Sequence, residues 1–379
     1  MPCPPGDAVT ELLLEKGPEK IRAALLRDGE LFRYEEEAPG AVAAEDILVV
    51  RVDRCVPALE AAFVKMGPLG TGYLPYQEMR GVKVPPRSGE KLLAQVKKAP
   101  VGSKQAYLTM DIALAGRGAV LLPLSDKRTV SASVPEGEEK DRLQALCGRL
   151  APEGMGLVMR REAANMDADA LEKEIAALTD RWRAVLSAPR EEGPVTGRGS
   201  VWDRFIRDAR PGVDRVLADF DVPGLKAERV ERPFELYAVE DKLRKALRRV
   251  HHLPCGGNVV LEKTEAMWVA DVNSARAIDR RKGLEATALK VNTEAAREIA
   301  RLCQVRNVGG ILVADFVDME EEDHRREVAE ALEEAFRQDP RKVVLHGFTA
   351  LGLFEITRKK DGEALEAKDL FDKTDEEDV

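Results

Sequence analysis

A multidomain α+β architecture is predicted for this 379-residue chain from three observations. The length is enough for roughly two to four domains, each with its own core. Short apolar runs punctuated by Gly and Pro crowd residues 47–123, as in a small all-β module. In the last third, strand-like and helix-like patterns alternate, which predicts an α/β part. With 44% hydrophobic and 34% charged residues, the chain reads as folded and highly charged rather than disordered.

Residues 8–35 carry amphipathic or alternating patterns that end in the strand-like GELFRYEEE, and EEEAPGAVAAED follows as a linker. ILVVRVDRCV (47–56) is a β-branched strand. AAFVKMG, GTGYLP, KLLAQVKKAP, KQAYLTMDIAL and GAVLLPLS are further short strands, and this spacing suggests a β-barrel of OB type. Residues 136–150 look helical, 154–161 strand-like, and 167–187 helical with an aspartate at the start. Residues 189–200 read as a loop, 202–219 as a short helix and strand, and 235–250 as a strand end followed by a helix. NVVLEK and MWVADV form a hairpin, and Asn292 or Thr293 caps a helix through 305. GILVADFVD is an apolar strand ending in acids. Residues 320–340 form a helix stopped by Pro340, and KVVLHGF and LGLFEITRKK are the last strands. Residues 361–379 read as an acidic, disordered tail.

Composition limits the function classes. No run of about 18 apolar residues occurs, so no membrane span is expected. The N-terminus lacks the basic-then-apolar pattern of a secretion signal. Cys3, Cys55, Cys147, Cys255 and Cys303 are scattered, which predicts reduced thiols in a cytoplasmic protein and no zinc site from this chain alone. The net charge is −9, but residues 361–379 hold nine acids and two lysines, so the other 360 residues net only −2. Local basic clusters then carry weight: Lys242, Arg244, Lys245, Arg248 and Arg249; Arg276, Arg280, Arg281 and Lys282; and Arg358, Lys359 and Lys360. Each fits a solvated face as well as a binding site.

Two apolar strands end in carboxylates, MWVAD at Asp271 and ILVAD at Asp315. An acid after buried apolar residues must be solvated, paired or bound to a cation. Hard oxygen ligands of this kind suit Mg²⁺, which takes one or two carboxylates plus water and phosphate oxygens. Asn273, two residues beyond Asp271, shares its face and can reach a phosphate oxygen or a metal-bound water. Ordinary turn chemistry at two strand ends is the alternative.

These strands sit inside longer blocks. GGNVVLEKTEAMWVADVNSAR (256–276), NTEAAREIARLCQVRNVGGILVADFVDM (292–319) and FTALGLFEITRKK (348–360) resemble, in order, three blocks of the ribonuclease E/G family. VPALEAAFVKMG with GTGYLP, then GSKQAYLTMDIALAGRGAVLLP and PEGMGLVMRR, are similar to its upstream segments. The resemblance spans roughly residues 45–360. It implies a split RNase H-like subdomain (1–43 and 200–248), an inserted OB-fold RNA-binding domain (44–125) and a 5′-sensor-like region (126–199). It further implies a DNase I-like catalytic subdomain (249–360) ahead of the acidic tail (361–379). It also implies a Mg²⁺-dependent endoribonuclease cutting single-stranded RNA, with ribosomal RNA precursors and messenger RNA as substrates. By the same likeness, Asp271 and Asp315 hold Mg²⁺ and Asn273 contacts the scissile phosphate. Phe63 and Tyr73 stack on bases, with Tyr in place of the usual Phe, and Lys104 lies near the RNA path. Core packing of the barrel is the other reading of the two rings.

Two departures matter. The family senses a 5′-monophosphate with an Arg-Thr pair; here Arg160 is followed by Arg161, and a usually basic segment reads Ser131-Ala132-Ser133. The Cys-Pro-x-Cys motif through which known members share a zinc ion is missing after the third block, so no zinc-linked dimer is expected. A monomer and a dimer by another interface both stay open. A non-catalytic RNA- or ribosome-binding protein that kept the fold is the rival reading, and a DNA nuclease a third.

Overall fold

The computed structural model describes residues 9–38, 42–100, 104–196, 200–209, 212–274, 283–360, 362–367 and 370. The chain divides into two compact units, residues 40–200 and the flanking residues 1–39 with 201–379. The fold is α+β with several sheets and one closed five-stranded barrel of OB type, as the sequence predicts.

The flanking unit begins with an antiparallel meander, β1 (Thr10–Lys16), β2 (Ile21–Arg27) and β3 (Glu30–Glu37). Asp28 and Gly29 turn between β2 and β3 with φ of 48° and 78°, the left-handed pair a two-residue hairpin demands.

In the inserted unit, β4 (Ile47–Val56), β5 (Ala61–Lys65), β6 (Thr71–Pro75), β7 (Lys91–Lys98) and β8 (Ala106–Thr109) make the barrel. Its order is β4-β5-β6-β8-β7, and β7 closes back on β4. Leu48, Val50, Ala62, Val64, Leu74 and Leu108 fill it, and their alternation along the strands is what the sequence displays. β9 (Leu114–Ala115), β10 (Ala119–Leu122), β11 (Arg128–Val130) and β12 (Gly156–Met159) form a second sheet with α1 (Glu138–Leu150) and α2 (Ala168–Ser187). Asp167 caps α2 by accepting from the Ala170 amide at 2.7 Å. The stretch read as a loop at 189–200 contains β13 (Gly193–Thr196), which pairs with β4.

The chain then returns to the flanking unit. After α3 (Val201–Asp208), β14 (Arg215–Ala218) runs parallel to β1 and is itself paired with β15 (Glu228–Arg229). The strand end expected near 235 is helical instead. Pro233 opens α4 (Pro233–Leu236), where its missing N–H costs nothing, and α5 (Val239–Leu247) follows. Next come β16 (Val250–His252), β17 (Asn258–Lys263), β18 (Trp268–Asn273), α6 (Leu284–Val305), β19 (Gly310–Asp315), α7 (Glu322–Phe336), β20 (Val343–Phe348) and β21 (Leu353–Arg358). The six strands form one sheet in the order β16-β17-β18-β19-β21-β20. α6 links the parallel pair β18 and β19. One core joins Ala295, Ala296 and Ile299 of α6 to Ala270, Leu312 and Leu31.

Two expectations change here. α6 begins at Leu284, so neither Asn292 nor Thr293 is a cap; Thr293 donates to the Leu289 carbonyl one turn back, at 2.7 Å. The start of the acidic tail is ordered: Ala364, Leu365, Ala367 and Leu370 pack against the core, and Leu365 donates to the Arg306 carbonyl at 2.8 Å. Four apolar side chains among the acids provide that anchor. Residues 361, 368–369 and 371–379 of the tail lie outside the described ones.

His251 in β16 is a buried histidine with measurable consequences. Burial, with Arg306 and Arg301 nearby, pushes its imidazole from the ordinary 6.5 down to about 4. Glu298 stands 3.8 Å from its Nδ1. The unfolded imidazole protonates near 6.5 and the folded one near 4, so the contribution is complete above 6.5 and lost as pH falls toward 4. The loss amounts to roughly 3 kcal/mol. Urea unfolding at pH 7 and pH 4.5 is expected to differ by about 2 kcal/mol more in the natural protein than in His251→Gln. Equal differences would sink this assignment.

Candidate active site

The site grows from the β18–α6–β19 crossover. The crossover makes two strands run the same way, and their register pairs Asp271 with Asp315. Trp268, Ala270 and Val272 point into the core, as do Leu312 and Ala314. The alternating positions, ending in Asp271, Asn273 and Asp315, therefore share the opposite face. Asp271 and Asn273 are respectively half-buried and exposed, and Asp315 is exposed. Neighbouring strands lie about 4.8 Å apart, so the two carboxylates stand side by side at the carboxyl ends of parallel strands. That edge is where α/β sheets bind ligands.

Asn273 turns toward the pair. Its Nδ2 donates to Asp271 Oδ2 at 2.8 Å and to Asn258 Oδ1 at 3.4 Å. Gly257, at the head of β17, makes this packing possible: a Cβ there would sit 2.8 Å from the Asn273 carbonyl oxygen. Asn292, fully buried on α6, holds the exit of β19. It donates to the Val317 carbonyl at 2.8 Å and accepts from the Val317 amide at 3.0 Å. A side-chain amide pairing both backbone groups fixes the strand end that carries Asp315.

The residues fit a Mg²⁺ ion on donor chemistry. Two adjacent carboxylates supply hard oxygens, and an open edge leaves room for water and phosphate ligands. Among the described residues no third His, Cys, Asp or Glu completes a closed metal cage.

On the barrel, Phe63 and Tyr73 are register partners on β5 and β6, half-exposed, with ring centroids 5.8 Å apart. Core packing is excluded for both, since the barrel is filled by the residues that alternate with them. Lys104 is exposed just ahead of β8. A third ring, Tyr107, extends the same row. Sequence reading missed it because β6 and β8 are not consecutive, so their pairing is not visible in spacing.

Arg160 and Arg161 differ in surroundings. The Arg160 guanidinium donates to the Gly116 carbonyl at 2.6 Å and pairs with Glu162 at 3.6 Å, while Arg161 is exposed. Of the basic clusters, Arg358 is not a surface cation at all but is buried against Asp339. Lys242 donates to the Tyr237 carbonyl and Arg249 pairs with Glu262. Arg276, Arg280, Arg281 and Lys282 lie outside the described residues. No helix among the described residues is long and apolar enough to cross a membrane.

Comparison with known proteins identifies the family. The model of the ribonuclease E/G family matches residues 113–229 and 221–361. Ribonuclease G of Escherichia coli (strain K12) is 32% identical over 397 residues, covering 94% of this chain and 81% of the relative. Ribonuclease G of Haemophilus influenzae is 32% identical over 401 residues, covering 95% and 81%. Ribonuclease E of Escherichia coli (strain K12) is 31% identical over 381 residues, covering 90% of this chain and 36% of the relative. With two aspartates in register at the edge of a parallel pair, a barrel bearing a row of rings, and likeness of this extent, the chain belongs to the ribonuclease E/G family.

Proposed function

We propose that this endoribonuclease hydrolyses single-stranded RNA with a Mg²⁺ ion held by Asp271 and Asp315. The observation that carries the reading is the register pairing of those two residues at one sheet edge. When bound, the ion supplies an activated water and stabilises charge on the phosphodiester. Asn273 orients the Asp271 carboxylate through its 2.8 Å bond and leaves its own oxygen free of that contact. Water oxygen joins phosphorus as the bond to the 3′ oxygen breaks, leaving a 5′-phosphate and a 3′-hydroxyl. The half-exposed rings of Phe63 and Tyr73 stack on unpaired bases, and Lys104 attracts the phosphate chain. Ribosomal RNA precursors and messenger RNA are the substrates this reading implies, in the cytoplasm. The test is cleavage of a short A/U-rich RNA and its DNA counterpart, each with Mg²⁺ and with EDTA. Cutting of RNA alone, only with Mg²⁺, is expected; RNA binding without any cutting would overturn the reading.

Weak dependence on the RNA 5′ end follows from the surroundings of Arg160. Its guanidinium already serves Gly116 and Glu162, so a 5′-phosphate must compete with a carboxylate in place. Rates on 5′-monophosphate and 5′-hydroxyl RNA are expected to agree within about twofold. Glu162→Gln should raise their ratio by about 10- to 150-fold, the worth of one charge-assisted bond. A strong preference for the monophosphate in the natural protein would contradict this.

A further inference from the structure

One row of side chains crosses the barrel from strand to strand. Arg54 of β4 pairs in register with Phe63 of β5, Phe63 with Tyr73 of β6, Tyr73 with Tyr107 of β8, and Tyr107 with Lys98 of β7. The row faces outward, because Ala62, Val64, Leu74, Ala106 and Leu108, which alternate with the rings, are fully buried. Ring centroids are 5.8 Å apart at both steps, with interplanar angles of 63° and 53°, so no two rings stack face to face. Cations close both ends. The Arg54 guanidinium lies 4.9 Å from the Phe63 centroid, and Lys98 Nζ lies 5.7 Å from that of Tyr107.

Cross-strand aromatic pairs stabilise sheets by themselves, and a purely structural rung would do so best under cover. All three rings are instead half-exposed, and Arg54 and Lys98 are exposed. Half-exposed rings with flanking cations are the chemistry of single-stranded nucleic-acid platforms: ring faces for bases, cations for phosphates. Tyr107 is held in the row at its hydroxyl, which donates to Glu78 at 3.3 Å.

We propose that Tyr107 is a third base-stacking position, making the barrel a site for three unpaired RNA bases with Arg54 and Lys98 as its terminal phosphate contacts. This rests on the reading of the barrel as the RNA-binding face. Binding of a labelled single-stranded A-rich RNA to the full chain in EDTA separates it from catalysis. Tyr107→Leu, which keeps an apolar side chain but no ring, should weaken binding about 5- to 150-fold, the size of one base–aromatic stack, and leave the salt dependence unchanged. Tyr107→Phe, which keeps the ring and loses the Glu78 bond, should restore it. Lys98→Ala should lower the salt slope by about 0.7, one phosphate contact on a single strand. Binding by Tyr107→Leu at the natural level, or an equal loss in Tyr107→Phe, overturns the proposal. If Phe63→Ala and Tyr73→Ala also bind normally, the reading of the barrel fails as well; if they bind weakly and Tyr107→Leu does not, only the third position fails.

Discussion

Asp271→Ala and Asp315→Ala should each lower RNA cleavage by on the order of 10³-fold or more, while binding of RNA in EDTA stays near its natural level. The size follows from the role. A metal that activates water and stabilises phosphoryl charge is worth several kcal/mol of barrier, and each 1.36 kcal/mol is tenfold in rate. Under the proposed function, one remaining carboxylate would hold the ion far less firmly. Folding should not suffer, because Asp315 is exposed and Asp271 half-buried, and surface substitutions of this kind stay within about 0.5 kcal/mol. Relief of like-charge repulsion between register partners even favours the variants when no cation is present. Asn273→Ala should cost less, about 10- to 100-fold, since it orients a ligand rather than acting as one. Cleavage rates and urea unfolding, measured on the same preparations, check all three. Undiminished cutting by both aspartate variants would sink the mechanism.

The candidate site was partly legible in the sequence, and the reasons are physical. Asp271 and Asp315 stood out because each ends an apolar strand, a local pattern of period two. Their pairing did not, because register between strands joined by a 22-residue helix depends on the length of that helix and how it packs. Asn292 was misread for a related reason. The residues LEATALKV ahead of it are good helix formers preceded by Gly283, but the Asn-Thr pair resembled a cap. The helix continues through Asn292, and the buried amide finds partners at the exit of β19 instead. The barrel strands were readable by alternation; the row from Arg54 to Lys98 was not, since it needs the β6–β8 and β8–β7 neighbours. The Arg358 cluster shows the same limit. Three consecutive basic residues read as one surface patch, whereas strand alternation sends the first into the core.

That buried arginine sets the largest stability effect expected in the chain. Arg358 and Asp339 are buried together, with Nε to Oδ2 at 2.7 Å and Nη2 to Oδ1 at 3.1 Å. Its Nη1 donates to the Val308 carbonyl at 2.7 Å, so each of the three guanidinium nitrogens has a partner. A second cation feels the field of the same carboxylate. Arg27 is also buried, and burial pushes its guanidinium down to about 10 against the attraction of Asp339. Asp339→Ala therefore strands the buried Arg358 and removes a favourable charge near the buried Arg27. Breaking a buried pair from one side typically costs 3–5 kcal/mol, largely through the uncompensated partner. Asp339→Ala should lose about that much in urea unfolding. Asp339→Leu combined with Arg358→Met should lose clearly less, because it removes one stranded charge along with the carboxylate. β21, which carries Arg358, is hydrogen-bonded to β19, which carries Asp315. Under the proposed function, loosening this anchor should also raise the Mg²⁺ concentration needed for half-maximal cleavage, and a direct substitution at Asp315 should do so more severely. A double variant less stable than Asp339→Ala would show that the pair contributes stability beyond charge compensation, contrary to this account.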